Sequence, residues 1–365
     1  MVAHRRKARI AVAGTSWWAT FTHLPALLAR PDVEVVALAD NAPDRLHQAA
    51  ENFGVSRTYA DYREMLEREA IDGVVVSASQ DVHYEIAHAG LDKGCHVLIE
   101  KPMVLYPHEA RELVELATAR QLEIVMSYPW HYTPHVRRAR GLVLAGDLGD
   151  VELMSSIFTS AAYPTLRGEI NVDDAAFEAP ALPPVANSHT DRRRGGGQGY
   201  IQVTHSAALS FWVTGLQAKQ VSAYMHRLDL AVDVVDAVSA RLSNGAVGTI
   251  SSTANLRPSD GGQHTLSVYG GRGYLILDLI AGTMLIQFHD GRMESPPQLT
   301  ADARYPRFAP ANNLVDVILG KAGNLSPGTV GQTTVNLSLI HISEPTRRTP
   351  ISYAVFCLKK KMYDG

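Results

Sequence analysis

Apolar segments of strand length alternate with helix-like segments along the first third of the chain, and this alternation constrains the fold more than any other feature. Strand-like runs occur at 9–14, 33–40, 71–79, 96–102 and 123–128. The segments between them carry apolar side chains at helical spacing, which predicts a parallel, doubly wound sheet. Uninterrupted Val and Ile runs are typical of strands that helices cover on both faces.

Beyond residue 150 the strand-like runs follow one another closely. They occur at 151–160, 219–228, 235–243, 246–255, 264–270, 273–279 and 283–288. Turns such as Asn244-Gly245 and Gly270-Gly271 separate several of them, and consecutive strands with hairpin turns predict an antiparallel sheet. A length of 365 residues suits two domains. We therefore predict an α/β first domain over 1–130 and an α+β second domain over 131–336.

Composition excludes several classes of protein. Hydrophobic residues make up 46% of the chain and charged residues 19%, which is typical of a folded globular protein. The formal net charge is −3 and basic runs are short, so we expect no nucleic-acid partner. We expect no membrane partner and no secretory leader, because no suitable apolar run is present. Only Cys95 and Cys357 occur, which favours a reducing cytoplasm and no disulfide.

The turn after the first strand has the character of a nucleotide-binding turn. It reads Gly14-Thr15-Ser16-Trp17-Trp18-Ala19, against the usual G-x-G-x-x-G. Gly14 permits the tight turn and Ala19 is small enough for helix–strand packing, whereas Ser16 departs from the pattern. The N–H groups at the helix start remain available to an anion. We predict a cofactor-binding turn at Gly14, Thr15, Ser16 and Trp17; an ordinary tight strand–helix turn is the alternative.

An acid ends the second strand, at Asp40, 26 residues beyond Gly14. A carboxylate there can bond both ribose hydroxyls of a dinucleotide, and its charge repels a 2′-phosphate. NAD is therefore favoured over NADP. The alternative is that Asp40 is the N-cap of a helix over 41–53.

The tripeptide Glu100-Lys101-Pro102 directly follows the apolar strand HVLI. Open α/β sheets bind ligands at the carboxyl ends of their strands. A partly desolvated lysine beside a positive nicotinamide ring has a lowered pKa, and can then accept a proton from a substrate hydroxyl. The alternative is a surface Glu-Lys pair before a helix.

Three segments resemble the glucose–fructose oxidoreductase, inositol dehydrogenase and rhizopine-catabolism (Gfo/Idh/MocA) family. They are GTSWWATFTHLPALLARPDVEVVALAD (14–40), VVVSASQDVHYEIAHAGLDKG (74–94) and AGLDKGCHVLIEKPMVLYPHEARELVELA (89–117). The resemblance extends over about 8–336. It implies a Rossmann domain that binds a nicotinamide cofactor, Lys101 acting at the substrate, and a second domain whose open, mostly antiparallel sheet supports a homo-oligomer, a dimer or tetramer. The cofactor site it implies includes Ser77, Ser79, His83, Glu100 and Lys101.

The family carries an Asp-x-x-x-His pair on a helix that follows three glycines. Counting from Gly195-Gly196-Gly197 places the Asp position at Ile201 and the His at His205. Positions i and i+4 share a helical face, but Ile201 cannot orient an imidazole. We predict His205 as a second catalytic residue, with a packed histidine as the alternative. Similarly, residues 130–132 (WHY) either form a stacking wall for a sugar or pack as a domain linker.

The end of the chain does not resemble the family. Pro345 and Pro350 interrupt the helix that begins near 326–336. LSLIHISEPTR resembles a translated transposon-end adaptor, ISYAVFCL a flow-cell primer and KKK a poly-A run. We hypothesise that 337–365 is a non-native tail, that the natural chain stops near Asn336 and that a native C-terminal segment is lost.

Together these patterns predict an NAD(P)-dependent oxidoreductase that transfers hydride between a nicotinamide cofactor and a secondary alcohol of a sugar, inositol or related polyol. Lys101 accepts the proton, and His205 assists. No metal is expected, because neither H-E-x-x-H nor a Cys/His cluster at ligand spacing occurs. Three alternatives stay open: a hydrolase or lyase that recycles its NAD, a non-catalytic nucleotide- or sugar-binding regulator, and a truncated inactive product.

Overall fold

The first domain contains a six-stranded parallel sheet. In the computed structural model, which describes residues 6–169, 180–183 and 187–342, the strands are β1 (Ala8–Ala13), β2 (Val33–Ala39), β3 (Thr58–Tyr59), β4 (Gly73–Val76), β5 (His96–Ile99) and β6 (Ile124–Met126). Their order is β3-β2-β1-β4-β5-β6, and every neighbouring pair is parallel. The predicted doubly wound sheet is confirmed.

Helices cover both faces of this sheet, so the central strands are buried throughout, as their Val and Ile runs require. The α-helices are Leu24–Leu28, which continues a π-helical turn at Ala19–His23, then Pro43–Phe53, Tyr62–Arg68, His83–Asp92 and Pro107–Ala119; 3₁₀ turns lie at Gln80–Val82 and Pro129–Tyr132. The strand order reverses between β1 and β4, and ligands bind at such a point in open α/β sheets.

The second domain contains an eight-stranded sheet. Its strands are β7 (Val151–Thr159), β8 (Ala218–His226), β9 (Val235–Leu242), β10 (Val247–Thr253), β11 (Gln263–Gly270), β12 (Gly273–Asp278), β13 (Thr283–Phe288) and β14 (Met293–Glu294), in the order β14-β13-β12-β11-β7-β10-β9-β8. The β7–β10 pair is parallel and the other pairs are antiparallel. The predicted mostly antiparallel sheet is confirmed.

One face of this sheet packs on helices, and side chains along β9 to β13 alternate between buried and more exposed. The helices of this half are Pro134–Leu144, Tyr163–Arg167, Asn187–Thr190, Thr204–Thr214, which continues a π-helix at Gly199–Val203, then Ala301–Arg304, Ala309–Ile318 and Gly328–Ile342; 3₁₀ turns lie at Arg192–Arg194 and Pro258–Asp260. The helix Thr204–Thr214 is buried along its whole length between the sheet and its neighbours.

The last described segment returns to the first domain. Ala311, Leu314 and Val315 are fully buried in one cluster with Ile10 of β1. The Met126 N–H donates to the Ser326 carbonyl (2.7 Å). The boundary at 130/131 stays a prediction, but the chain crosses back over it near its C-terminal end.

No helix within the described ranges combines the length and apolarity that a membrane span needs. Cys95 is a buried free thiol. Cys357 and the rest of 343–365 lie outside the described residues, and with them most of the hypothesised non-native tail.

Candidate active site

A cavity of about 760 Å³ opens at the carboxyl ends of the first sheet and extends to the second domain. That volume suits a ligand of cofactor or drug size. Ten of the predicted site residues line it: Gly14, Ser16, Trp17, Asp40, Ser77, Ser79, His83, Glu100, Lys101 and His205. Thr15 was also predicted to bind cofactor, but it is fully buried and does not line the cavity.

Gly14 lies where β1 and β4 end side by side. Its φ is +95°, and a Cβ at this position would lie 2.3 Å from the backbone nitrogen of Ala78. Only glycine fits such a position. The chain can therefore turn at once from β1 into the following helix, whose first N–H groups have no partner inside the helix. Ala19, also fully buried, gives the close helix–strand packing that the sequence predicts.

Asp40 holds this turn together. Its Oδ2 accepts hydrogen bonds from both the N–H and the hydroxyl of Thr15, each at 2.7 Å, and its Oδ1 accepts from the Ala42 N–H (2.9 Å). Ala42, not Asp40, is the N-cap of the helix Pro43–Phe53. The carboxylate still lines the cavity, with acceptor capacity left on Oδ1.

Ser16 stands at the position where the pattern has its second glycine. Its hydroxyl lies 2.8 Å from the Ser77 hydroxyl and accepts from the Ala19 N–H (3.2 Å). The serine side chain is thus held by β4 and the helix start. Together with the space that Gly14 leaves and the acid at Asp40, this arrangement fits the pyrophosphate and ribose of a dinucleotide.

Lys101 is mostly buried at the mouth of β5. Its Nζ donates to the Ile201 carbonyl (3.2 Å), which ties the amino group to the second domain. Burial lowers the pKa of Lys101, and the negative charge of Glu100 partly opposes that effect. A larger share of neutral amine is therefore available to accept a proton.

Glu100 directly precedes Lys101 at the same strand end and also lines the cavity. Its Oε1 accepts from His23 Nε2 (2.8 Å), and its Oε2 accepts from the Lys101 N–H (3.2 Å). Burial raises the pKa of Glu100, but the hydrogen bond and charge of His23, with Lys101, hold it below its usual range. A buried carboxylate thus fixes the backbone that carries Lys101.

His83 positions the segment after Lys101. One ring nitrogen lies 2.9 Å from the Pro102 carbonyl and the other 3.1 Å from the Ala78 carbonyl. Burial lowers the pKa of His83. The neutral ring has one N–H, so it donates to one of these carbonyls and lies against the other.

His205 lies among aromatic rings. The ring centroids of Trp130, Tyr128 and Phe158 are 5.3, 5.8 and 6.1 Å from its own, and its Nδ1 has no hydrogen-bond partner among the described residues. Burial, followed by the charge of Lys101, lowers the pKa of His205 well below its ordinary value. The imidazole is therefore neutral and can accept or donate one hydrogen bond.

Ile201, at the predicted Asp position, does not line the cavity with His205. It lies in the π-helix Gly199–Val203, which continues into the helix Thr204–Thr214 that carries His205. Its side chain packs in a separate apolar cluster with Leu166, Val232 and Val234. This position therefore supplies no carboxylate beside His205, and the Ile201 side chain packs outside the cavity.

Residues 130–132 pack as a linker. Trp130 and His131 are buried, Tyr132 donates to Asn313 (3.2 Å), and none of the three lines the cavity. Sequence reasoning missed many of the lining residues, among them Trp18, Arg45, His189, Arg194 and Tyr305. Trp18 adjoins the predicted turn, and this was the available signal; the other four carry no local motif. Within the described ranges no three His, Cys, Asp or Glu side chains are arranged to hold a metal ion.

Two family models match the chain. Residues 8–128 match a model described as an oxidoreductase family with an NAD-binding Rossmann fold, and residues 136–276 match the GFO/IDH/MocA C-terminal domain. A dTDP-3,4-didehydro-2,6-dideoxy-alpha-D-glucose 3-reductase of Streptomyces violaceoruber is 34% identical over 42% of this chain and 45% of its own length. A D-glucoside 3-dehydrogenase of Escherichia coli is 28% identical over 51% of this chain and 58% of its own length. The chain spans about half the length of these curated relatives.

The fold resembles a solved levoglucosan dehydrogenase in complex with NADH and levoglucosan. The superposition has a TM-score of 0.76 at 16% identity and covers 92% of this chain and 96% of that one. At this identity the likeness establishes the fold.

Proposed function

Since the chain belongs to the Gfo/Idh/MocA oxidoreductase family, we propose that it oxidises or reduces a secondary alcohol of a sugar, inositol or related polyol with NAD as cofactor. The observation that carries the proposal is the enclosed amino group of Lys101, in one cavity with the Gly14 turn and His205. The two curated relatives bear names that describe reactions at position 3 of a glucose-type sugar, which supports a ring alcohol as substrate.

The cavity residues would have separate roles in cofactor binding and proton transfer. Gly14, Ser16 and the helix start would hold the pyrophosphate, and Asp40 the adenosine ribose, where its charge disfavours a 2′-phosphate. When bound, the nicotinamide supplies the hydride acceptor or donor. Lys101 accepts the proton of the substrate hydroxyl, with the Ile201 carbonyl orienting its Nζ. Neutral His205 hydrogen-bonds a substrate hydroxyl and positions it.

The test uses Lys101→Met, with Lys93→Met on an exposed position as the matched control. We expect Lys101→Met to keep coenzyme affinity, measured by NADH fluorescence, and to lower kcat by about 100-fold or more on a sugar and polyol panel. Lys93→Met should match the wild type. Unchanged turnover in Lys101→Met would remove the lysine from the mechanism.

The same assay separates the competing functions. Stoichiometric NADH release during turnover excludes a hydrolase or lyase that recycles its cofactor. A regulator is favoured by the loss of the carboxylate at Ile201, and it predicts coenzyme or sugar binding without turnover of any substrate. We also propose a homo-oligomer in a cytoplasmic setting; light scattering of the purified protein tests the former.

A further inference from the structure

Two aromatic rings bound the cavity next to the proposed catalytic residues. Trp18 comes from the helix start of the first domain and Tyr305 from the segment before the helix Ala309–Ile318; both line the cavity together with Lys101 and His205. Their centroids are 6.4 Å apart in an edge-on arrangement. The two halves of the chain thus contribute one ring each to the same wall.

This wall is fixed from behind. Tyr305 packs on Trp130, with ring centroids 4.9 Å apart, and Trp130 contacts the edge of the His205 ring at 5.3 Å. Trp130 itself is buried and lies outside the cavity. A continuous series of ring contacts therefore sets the distance between the Trp18–Tyr305 wall and the imidazole.

The Tyr305 hydroxyl makes no hydrogen bond to any described residue. A mostly buried tyrosine normally has a partner for its hydroxyl. Burial raises the pKa of Tyr305, and the nearby negative charge of Glu100 raises it further, so the hydroxyl stays protonated. A donor is thus left available at the cavity, close to the strand end that carries Lys101.

Ile201 supplies no carboxylate to this end of the cavity, because its side chain packs in a separate apolar cluster. A pyranose or cyclitol ring presents C–H groups on its faces and hydroxyls at its rim. Such a ring matches an aromatic wall with a few polar groups placed beside it. An open-chain polyol has no rigid face and loses more conformational entropy on binding.

We propose that Trp18 and Tyr305 form a binding wall for the ring of a cyclic sugar or cyclitol, with the Tyr305 hydroxyl bonding a ring substituent. The site then selects rings over open-chain polyols. This inference rests on the proposed function, because it concerns the substrate of the same site.

The test measures binding separately from turnover. NADH-loaded protein is titrated by calorimetry with methyl α-D-glucopyranoside, myo-inositol and D-glucitol. We expect at least one ring compound to bind about tenfold or more tightly than D-glucitol. Tyr305→Phe, which keeps the ring, should weaken ring binding about five- to tenfold; Trp18→Leu should weaken it at least as much. NADH affinity should not change in either variant. Tyr224→Phe, on an exposed tyrosine of β8, is the matched control.

The outcomes separate this inference from the proposed function. If rings bind as expected and Tyr305→Phe weakens them, but no compound is turned over, the wall stands and the proposed function fails. The wall is overturned if D-glucitol binds as well as the rings, if none of the three compounds binds, or if Tyr305→Phe leaves ring affinity unchanged. It is also overturned if Trp18→Leu and Tyr305→Phe weaken NADH instead, since the rings would then belong to the coenzyme site.

Discussion

Asp40 shows how one side chain serves both fold and site. Three hydrogen bonds from the Thr15 and Ala42 groups end on its carboxylate, and all are within 2.9 Å. The acid that is proposed to meet the ribose is therefore also the group that holds the Gly14 turn in shape. Loss of the carboxylate should affect stability before any ligand is added.

We predict that Asp40→Ala lowers the free energy of unfolding by about 1–3 kcal/mol, because the buried Thr15 donors lose their acceptor. NAD affinity should also fall. Urea denaturation without coenzyme measures the first effect and NADH fluorescence the second. Asp44→Ala, on an exposed acid of the next helix, should change neither. Reduced NAD affinity at wild-type stability would mean that Asp40 has no structural role.

The pH dependence of alcohol oxidation should report Lys101 alone. Oxidation needs the neutral amine, so kcat/KM should fall as the pH is lowered through the pKa of Lys101, which burial places below the ordinary 10.5. His205 is already uncharged at neutral pH, because burial and the charge of Lys101 lower its pKa well below the ordinary 6.5. Ionisation of His205 should therefore cause no second fall in the pH profile of kcat/KM.

The measurement is kcat/KM from about pH 5 to about pH 10 for the wild type and His205→Asn. His205→Asn should lower the rate but leave the midpoint of the limb in place. A limb near pH 6.5 that disappears in His205→Asn would assign the proton transfer to the histidine.

Residues that act through their own segment could be predicted, and residues that act through distant contacts could not. Gly14 and Lys101 lie at strand ends, and the apolar runs of the sequence predict where strands end. Tyr305 reaches the cavity only because the helix after it covers the first sheet. Trp130 is adjacent in sequence to a lining residue, Pro129, yet its ring turns inward onto His205.

At the scale of elements, the π-helix Gly199–Val203 decides the geometry of the site. The Gly199 N–H donates to Asp233 Oδ2 (2.6 Å), and a Cβ on Gly197 would lie 2.2 Å from Asp233 Oδ1. Asp233 therefore caps this helix from a segment 34 residues later in the chain. The same π-helix presents the Ile201 carbonyl to Lys101.

A second buried acid, Asp236, stands beside this cap. Neither of its carboxylate oxygens has a hydrogen-bond partner among the described residues, and it is 2% exposed. Burial, followed by the charge of Asp233, raises the pKa of Asp236. The folded protein therefore keeps Asp236 protonated at neutral pH, whereas the unfolded chain releases that proton.

We predict that Asp236→Asn changes how stability depends on pH. Because the pKa of Asp236 is raised in the folded protein, its carboxyl adds to the free energy of unfolding. This stabilisation is fully present below the unfolded-state pKa of about 3.9 and is lost as the pH rises towards the folded-state pKa. Asparagine cannot lose a proton. Between about pH 5 and about pH 9, the free energy of unfolding of the variant should therefore rise by at least about 1.4 kcal/mol relative to that of the wild type.

Urea denaturation at several pH values measures this difference, and Asp229→Asn on an exposed acid gives the control slope. Parallel curves for Asp236→Asn and the wild type would show that Asp236 is ionised in the folded protein. The exposed control is needed because other carboxylates also titrate at the acid end of the range and change the stability of every variant.

Helices and strands could be predicted where the spacing of apolar residues along the sequence identifies them. Twelve of the described strands follow predicted apolar runs or alternation, whereas the two-residue strands β3 and β14 were not predicted. The π-helix could not be predicted, because it is accompanied by a cap from Asp233 and by the packing of Ile201 with Leu166. These contacts join segments that lie more than 30 residues apart.

At the scale of the whole molecule, the C-terminal segment makes the two domains interdependent. The helix Ala309–Ile318 covers one face of the first sheet, where Leu314 is fully buried in the cluster that holds Ile10 and Leu98. The helix Gly328–Ile342 places Val335 in the cluster on the other face. The first sheet is thus covered on both faces by residues that follow it by about 200 positions.

We predict that Leu314→Ala lowers the free energy of unfolding by about 2–5 kcal/mol, because it leaves a cavity against the first sheet. Near-ultraviolet circular dichroism should report one cooperative transition for the tryptophans of both domains, since Trp17 and Trp212 lie in units joined by this segment. Leu144→Ala, at a position 52% exposed, is the matched control and should cost less than about 1 kcal/mol. Two separate transitions in Leu314→Ala, with the second domain at wild-type stability, would mean that the C-terminal helix belongs to the first domain alone.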